Sequence, residues 1–348
     1  MPRETEAEPD GAPESVADQL AAQLAGGGEL VDHGGFDIDA QRALDKLAKF
    51  QLADPHAYIL RWAEAGLIAG AERLRFDLDG ELVCVAFDAP SSTAVIPGPA
   101  LERLLTVLVT PTAEVAVERE LLAQLAVGVL AAQRLDPRYL AIESVGPDRR
   151  GARMVYGHAG GLEPVTDAEP GTRVYFGERF DVGQRLDGAL GQRREHELLR
   201  RHCAHVRTPI FVDNRRLEQE PALEAAKRRA PVVLDGAVIG EAGQTHSDAP
   251  GEVRFLARGL EIEAFNHEAL TPGFVAAVEV ALPRDLSRAK LARTPEFDAV
   301  LRAVFAAQQR LGIRAKPTVR EQTGPELVIF GVAIVVGLVV LSVIALIL

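Results

Sequence analysis

Leu60–Phe76 reads LRWAEAGLIAGAERLRF, and the fold turns on it. The stretch lies in a segment, 55–73, whose apolar residues recur at helical spacing. Asp54-Pro55 opens that segment with a capping side chain and a first-turn proline. Residues 74–78 and 81–87 (ELVCVAF) alternate as paired strands, and Asp79-Gly80 between them is a strong hairpin-turn signal. A helix is therefore expected to run straight into a β-hairpin.

Outward from this point the chain divides. Residues 1–35 are rich in Glu, Asp, Ala, Gly and Pro and read as a flexible acidic arm. Helical spacing resumes at 39–50. After the hairpin a long helix is expected over 113–134, then the strand Tyr139–Ser144 and strands near Arg153–Tyr156 and Thr172–Phe176. This is an α+β arrangement, with helices over a mixed sheet, assigned to residues 36–190. Gly183, Gly188 and Gly191 mark a boundary. A second α/β unit is expected over 191–312, with strand-like pieces at 209–213, 231–234, 253–257, 260–264 and 274–282 and a helix at 295–311. Residues 313–326, with Pro317, Gly324 and Pro325, read as a tether.

Leu327–Leu348 contains no charged residue. Twenty-two residues at 1.5 Å each reach about 33 Å, enough to cross a hydrocarbon core of roughly 30 Å. A C-terminal transmembrane tail anchor is expected there. Arg310, Arg314, Lys316 and Arg320 precede it and place the bulk of the chain on the cytoplasmic side.

The 348 residues carry 38 Lys and Arg against 50 Asp and Glu, a net charge of 38 − 50 = −12, which argues against nucleic acid as the main partner. Cys84 and Cys203 cannot form a disulfide framework, and neither sits in a C-x-x-C pair, so structural zinc has no support. Phosphate-loop, dinucleotide, zinc-protease and serine-hydrolase signatures are absent. His196, His202, Cys203 and His205 fall in an arginine-rich stretch that reads as a solvated helix face rather than a metal site.

Taken in order, several segments resemble the heat-shock protein 90 chaperones, members of the Bergerat-type (GHKL) ATPases. Leu60–Phe76 is similar to that family's ELxxNAxDAxxxxRF helix. Ala123–Ser144 (AQLAVGVLAAQRLDPRYLAIES) is similar to its glycine-containing lid and the helix and strand that follow. Gly171-Thr172-Arg173-Val174 resembles the strand that ends the nucleotide domain. Ala281–Leu301 (ALPRDLSRAKLARTPEFDAVL) resembles the middle-domain phrase D-L-x-x-S-R-x-x-L.

The resemblance implies a site that has lost its chemistry. The glutamate that orients water in the family falls at Trp62, and the asparagine that holds magnesium falls at Gly66; neither side chain can do that work. Glu64 lies two residues along the helix, roughly 200° away. The adenine-reading aspartate falls at Asp88, but its following glycines are Pro90 and Ser92. Of the lid glycines only Gly128 remains, and Thr172 survives. Asp88, Gly128 and Thr172 are thus the expected remnants of a degenerate nucleotide site, with no metal ligand and no catalytic residue.

Two readings are set against each other. The first is a membrane-anchored, chaperone-like pseudo-ATPase acting as a protein-interaction scaffold, with no cofactor and with partners of unknown identity. The second is a switch that binds ATP without magnesium-dependent hydrolysis. An active ATPase would need Glu64 or Asp88 as a replacement base, and an unrelated α+β protein would lack a helix layer over its first sheet.

Overall fold

The computed structural model describes residues 54–78, 82–88, 95–109, 117–157, 160–178, 193–219, 223–285, 288 and 290–312. The acidic arm, the expected helix at 39–50, the boundary glycines, the tether and the expected membrane span at 327–348 lie outside the described residues. Among the described residues no helix is long and apolar enough to cross a membrane.

The chain enters as the sequence predicts. The Asp54 carboxylate accepts a hydrogen bond of 3.0 Å from the His56 amide, Pro55 opens a short 3-10 turn, and helix α1 (Tyr58–Ile68) follows. Gly70, at φ 73°, ends the helix: the amides of Ala69, Gly70 and Ala71 fold back onto the carbonyls of Ala65, Leu67 and Gly66. Every residue of α1 is buried. Strands β1 (Arg73–Asp77) and β2 (Leu82–Asp88) then pair antiparallel, with Phe76 opposite Val85. The two expected strands pair antiparallel; the Asp79-Gly80 turn lies outside the described residues.

A short helix, α2 (Gly98–Glu102), and a 3-10 segment, Leu104–Leu108, lead to the long helix α3 (Val117–Gln133). Strands β3 (Tyr139–Val145), β4 (Arg150–Val155), β5 (Leu162–Thr166) and β6 (Gly171–Gly177) follow. β5 has no counterpart in the sequence reading, because its exposed, Pro-containing LEPVT shows no apolar alternation. It is an edge strand, where a proline blocks further pairing without breaking the sheet.

After helix α4 (Arg194–His202) come β7 (Ile210–Val212) and β8 (Arg215–Arg216). β7 runs parallel to β1, so the first sheet has eight strands in the order β5-β4-β3-β6-β2-β1-β7-β8. The first sheet therefore continues into chain beyond residue 191. A second sheet orders β9 (Arg228–Leu234), β10 (Ala237–Gln244), β11 (Glu252–Ala257), β12 (Leu260–Asn266) and β13 (Phe274–Glu279) as β12-β11-β13-β10-β9, with β11 and β13 parallel. Helix α5 (Pro295–Arg310) packs against β9 and β10; Thr294 caps it, and Phe297 stacks on Phe255 at 5.2 Å between ring centres.

Both sheets are mixed and share one continuous apolar core. The molecule is α+β, with α1 and α3 packed together over one face of the eight-stranded sheet. That face presents Phe76, Val85, Phe87, Leu140, Ile142, Val174 and Phe176, each no more than 1% exposed. At about 25 cal/mol per Å², each buried aromatic or branched side chain contributes roughly 2 kcal/mol toward holding the helix layer down.

Candidate functional site

The slots expected to carry nucleotide chemistry are filled by packing. Trp62 is fully buried, 4.5 Å ring to ring from Tyr58, which in turn lies 4.9 Å from Phe176 on the sheet. The indole presses on α3 at Gly128, where an added Cβ would stand 2.2 Å from Nε1 and 2.5 Å from Cδ1. Gly66 is equally confined: a Cβ there would stand 2.4 Å from Leu74 Cδ2 and 3.2 Å from Phe87. Glycine at these two helical positions lets large side chains approach the backbone, which offsets its poor helix propensity of about 1 kcal/mol.

Gly128 therefore serves the indole. Trp62 Nε1 and Cδ1 occupy the space where a side chain at 128 would stand. The residues present do not fit a magnesium nucleotide in this slot, since the space beside Gly66 belongs to Leu74 and Phe87.

Asp88 and Thr172 occupy adjacent strands but opposite faces. Phe87, which reaches Gly66 of α1, pairs across the sheet with Thr172. Asp88 is the next residue, and strand alternation turns it to the other side. There its carboxylate accepts from Arg73 Nε at 2.7 Å and Arg75 Nη2 at 3.3 Å. Thr172, 1% exposed, pairs its hydroxyl with Ser144 Oγ at 3.1 Å, and Ser144 Oγ accepts from the Ile96 amide at 2.8 Å. The three expected remnants thus stand in three separate environments.

The face that carries Asp88 is a charged ladder. Arg153 and Arg173 flank the buried Glu143, and Arg173 also reaches Glu169 at 2.6 Å. Arg153 lies over the Tyr175 ring at 6.0 Å. Burial, with help from Glu143, pushes the Tyr175 phenol up to about 12, and burial pushes the Cys84 thiol up to about 11, so both stay protonated at neutral pH.

Glu64 does face away from Trp62, and the structure shows toward what. Its carboxylate, 1% exposed, accepts from Arg61 at 3.0 Å and from Arg284 at 2.7 Å. Arg61 also donates to the Arg288 carbonyl at 2.8 Å, and Arg288 holds the left-handed backbone (φ 53°). A buried ion cluster thus ties α1 to the segment that resembles a chaperone middle-domain phrase. Glu64 and Asp88, one of which an active ATPase would need as its base, are each held by two arginines. The sequence reading did not find this cluster; its signal is the Arg61–Glu64 pair, three residues apart inside an otherwise apolar helix.

A second polar knot joins the start of α1 to the start of α4. Glu195, 2% exposed, accepts from His56 Nδ1 at 2.7 Å and from the Tyr58 hydroxyl at 3.0 Å. That bond holds the His56 imidazole above its ordinary pKa. Burial alone would raise the Glu195 carboxyl, but its bonds to His56 and Tyr58 bring it below the usual range. The stretch 196–205 is not simply solvated: Cys203 is fully buried, with its thiol pushed up to about 12, and His202 Nδ1 lies 2.9 Å from the Glu261 carbonyl oxygen. Surface cavities of about 640, 670 and 240 Å³ are lined by residues such as Arg207, Arg229, Glu241 and Arg201; none of the three includes Asp88, Gly128 or Thr172.

No protein-family model matches the chain, and no curated protein matches it. Among solved structures it is similar to the ATPase domain of the mismatch repair endonuclease MutL of the bacterium Aquifex aeolicus. That likeness spans 72% of this chain and 97% of that one, at 13% identity and a TM-score of 0.41. At that score it assigns no residue a role.

Proposed function

We propose that the chain is a Bergerat-type fold without nucleotide chemistry, working as a chaperone-like protein-interaction scaffold held at the cytoplasmic face of a membrane by residues 327–348. The observation that carries this reading is the seating of Trp62 on Gly128, together with the closed space at Gly66. Water activation needs a free carboxylate and metal capture needs an oxygen donor; those two slots hold an indole and a bare backbone. The fold assignment is supported by the order of elements: an opening helix, a hairpin, a long helix and a meander, with the helices over one face of a mixed sheet. The membrane assignment is supported by the uncharged run alone.

The test is a titration of the purified full chain in detergent with ATP and ADP, with and without Mg²⁺, followed by thermal unfolding. A ligand at 100 times its Kd would add about 2.7 kcal/mol to stability by mass action. The expected result is no heat of binding and an unchanged Tm at millimolar nucleotide. Magnesium-dependent turnover that disappears in Asp88→Asn would overturn the reading.

A further inference from the structure

We propose that His56, Glu178 and Glu195 form a binding site for one divalent transition-metal cation, best suited to Zn²⁺, which pins the start of α1 to the end of β6 and the start of α4. Nothing in the nucleotide or scaffold reading requires this site. The three residues come from three separate elements, yet one ligand atom from each lies within 4.8 Å of the other two.

One imidazole nitrogen and two carboxylate oxygens is a donor set that suits Zn²⁺ and Mn²⁺ better than Mg²⁺, which favours oxygen and water. Around a tetrahedral ion with bonds near 2.1 Å, ligand atoms stand about 3.4 Å apart. The 2.7 Å between His56 Nδ1 and Glu195 Oε1 must open slightly and Glu178 must close in, both within the reach of side-chain rotation. Glu195 is buried and already oriented by the Tyr58 hydroxyl, the kind of supporting bond that fixes a ligating carboxylate. His56 and Glu178 are each about one-third exposed (33% and 30%), which leaves the ion a way in.

The charge balance also points to a cation. Arg194 pairs with both Asp54, at 3.1 Å, and Glu197, and His56 Nδ1 is hydrogen-bonded to Glu195 at 2.7 Å. Glu178 is the surplus: among the described residues its ion-pair partner is Arg193, at the limiting distance of 4.0 Å. The hydrogen bond between His56 and Glu195 alone would not explain why a second carboxylate is brought up to it.

Glu178→Gln is the informative variant, because it removes a ligand while leaving the bonds of Glu195 to His56 and Tyr58 in place. The full chain, freed of metal by chelation, is titrated with ZnCl₂ and with MgCl₂, following heat and Tm. The expected result is one Zn²⁺ per chain with a raised Tm, no response to Mg²⁺, and at least a tenfold loss of Zn²⁺ affinity in Glu178→Gln, whose metal-free Tm and circular dichroism match the parent. The chain holds eight histidines, so Zn²⁺ could bind elsewhere. Equal affinity in Glu178→Gln would show that it does, and would overturn the site, as would no binding up to 100-micromolar Zn²⁺. Neither outcome bears on ATP binding, so the two proposals fail separately.

Discussion

The indole of Trp62 and the backbone of Gly128 meet so closely that a methyl group on residue 128 would stand 2.2 Å from Nε1. The contact sets the spacing of α1 and α3 over the sheet. Gly128→Ala should gain about 1 kcal/mol of helix propensity. It should lose more than that, since overpacking a tight core costs about 1–3 kcal/mol and the indole has nowhere to move. Net destabilisation in urea unfolding is expected, largely relieved when Trp62→Leu is combined with it; a coupling below about 0.5 kcal/mol would mean the two do not share the space.

Glu64 holds two arginines that are themselves mostly buried, Arg61 and Arg284 at 3% and 15% side-chain exposure. Glu64→Ala leaves both guanidinium groups without their carboxylate. Removing one member of a buried ion cluster costs about 3–5 kcal/mol, because the remaining charges stay desolvated. The variant should show a lowered urea midpoint, and the loss should shrink when Arg284→Met is added. A change below about 1 kcal/mol would mean solvent already reaches the cluster.

How much of this was legible beforehand follows from which signals are local. Asp54-Pro55, the helix it opens and the alternating strands on either side of Asp79-Gly80 are written within a few residues; the helix and both strands form, but the helix ends at Ile68 rather than 73, where Gly70 turns the chain back. Strand β5 was not legible because an exposed edge strand with Pro164 has no apolar period to detect. Nor was the pairing of β7 with β1, a contact between Ile210 and Leu74 that no local pattern announces. At the expected site, it was legible from residue type that Trp62 and Gly66 offer neither an acid nor an amide. What surrounds them was not: Gly128 reads equally well as phosphate cradle or packing gap, and only the indole's position decides. Asp88 and Thr172 are joined in sequence by the family resemblance alone; strands β2 and β6 do adjoin, but the alternation of the sheet turns the two side chains to opposite faces.

That separation has a measurable consequence. Thr172 and Ser144 form a buried hydroxyl pair that also holds the Ile96 amide. Ser144→Ala leaves that amide unpaired at a cost of about 1–3 kcal/mol, whereas Thr172→Val leaves the Ser144 bond to the amide in place and should cost less. Asp88→Asn, on the opposite face among partly exposed arginines, should change stability by less than about 1 kcal/mol. Urea unfolding of the three variants checks the ranking, and an Asp88 effect as large as that of Ser144 would contradict the geometry.

Burial and nearby Arg201, Arg61 and Arg194 depress the His202 pKa below its ordinary value, against the pull of the Glu261 carbonyl. The unfolded chain then binds more protons than the folded one between the depressed value and about 6.5, so this group makes stability rise with pH across that window. Stability is accordingly lost as pH falls below about 6.5. His202→Asn keeps a donor for the Glu261 carbonyl but does not titrate, and should lose less stability between pH 6.5 and 5 than the parent. Comparing the two isolates this effect from His56, whose raised pKa acts with the opposite sign. Parallel pH profiles would mean that His202 is not desolvated.

Gln124 sits one turn before Gly128 on α3, fully buried, and neither its amide nitrogen nor its oxygen has a hydrogen-bond partner among the described residues. Trp62 Nε1 is likewise unpaired. Leaving a buried polar group unsatisfied costs about 1–3 kcal/mol, whereas an apolar group of the same shape incurs no such penalty. Gln124→Met preserves length and volume, so it should stabilise the chain by about 1 kcal/mol or more. The opposite outcome would also be informative. A polar, roomy site can hold an ordered water that bonds such groups. Destabilisation by Gln124→Met, repeated in Gln124→Leu and in Trp62→Phe, would mean that the interior beside the indole is wet and that its polar atoms are satisfied.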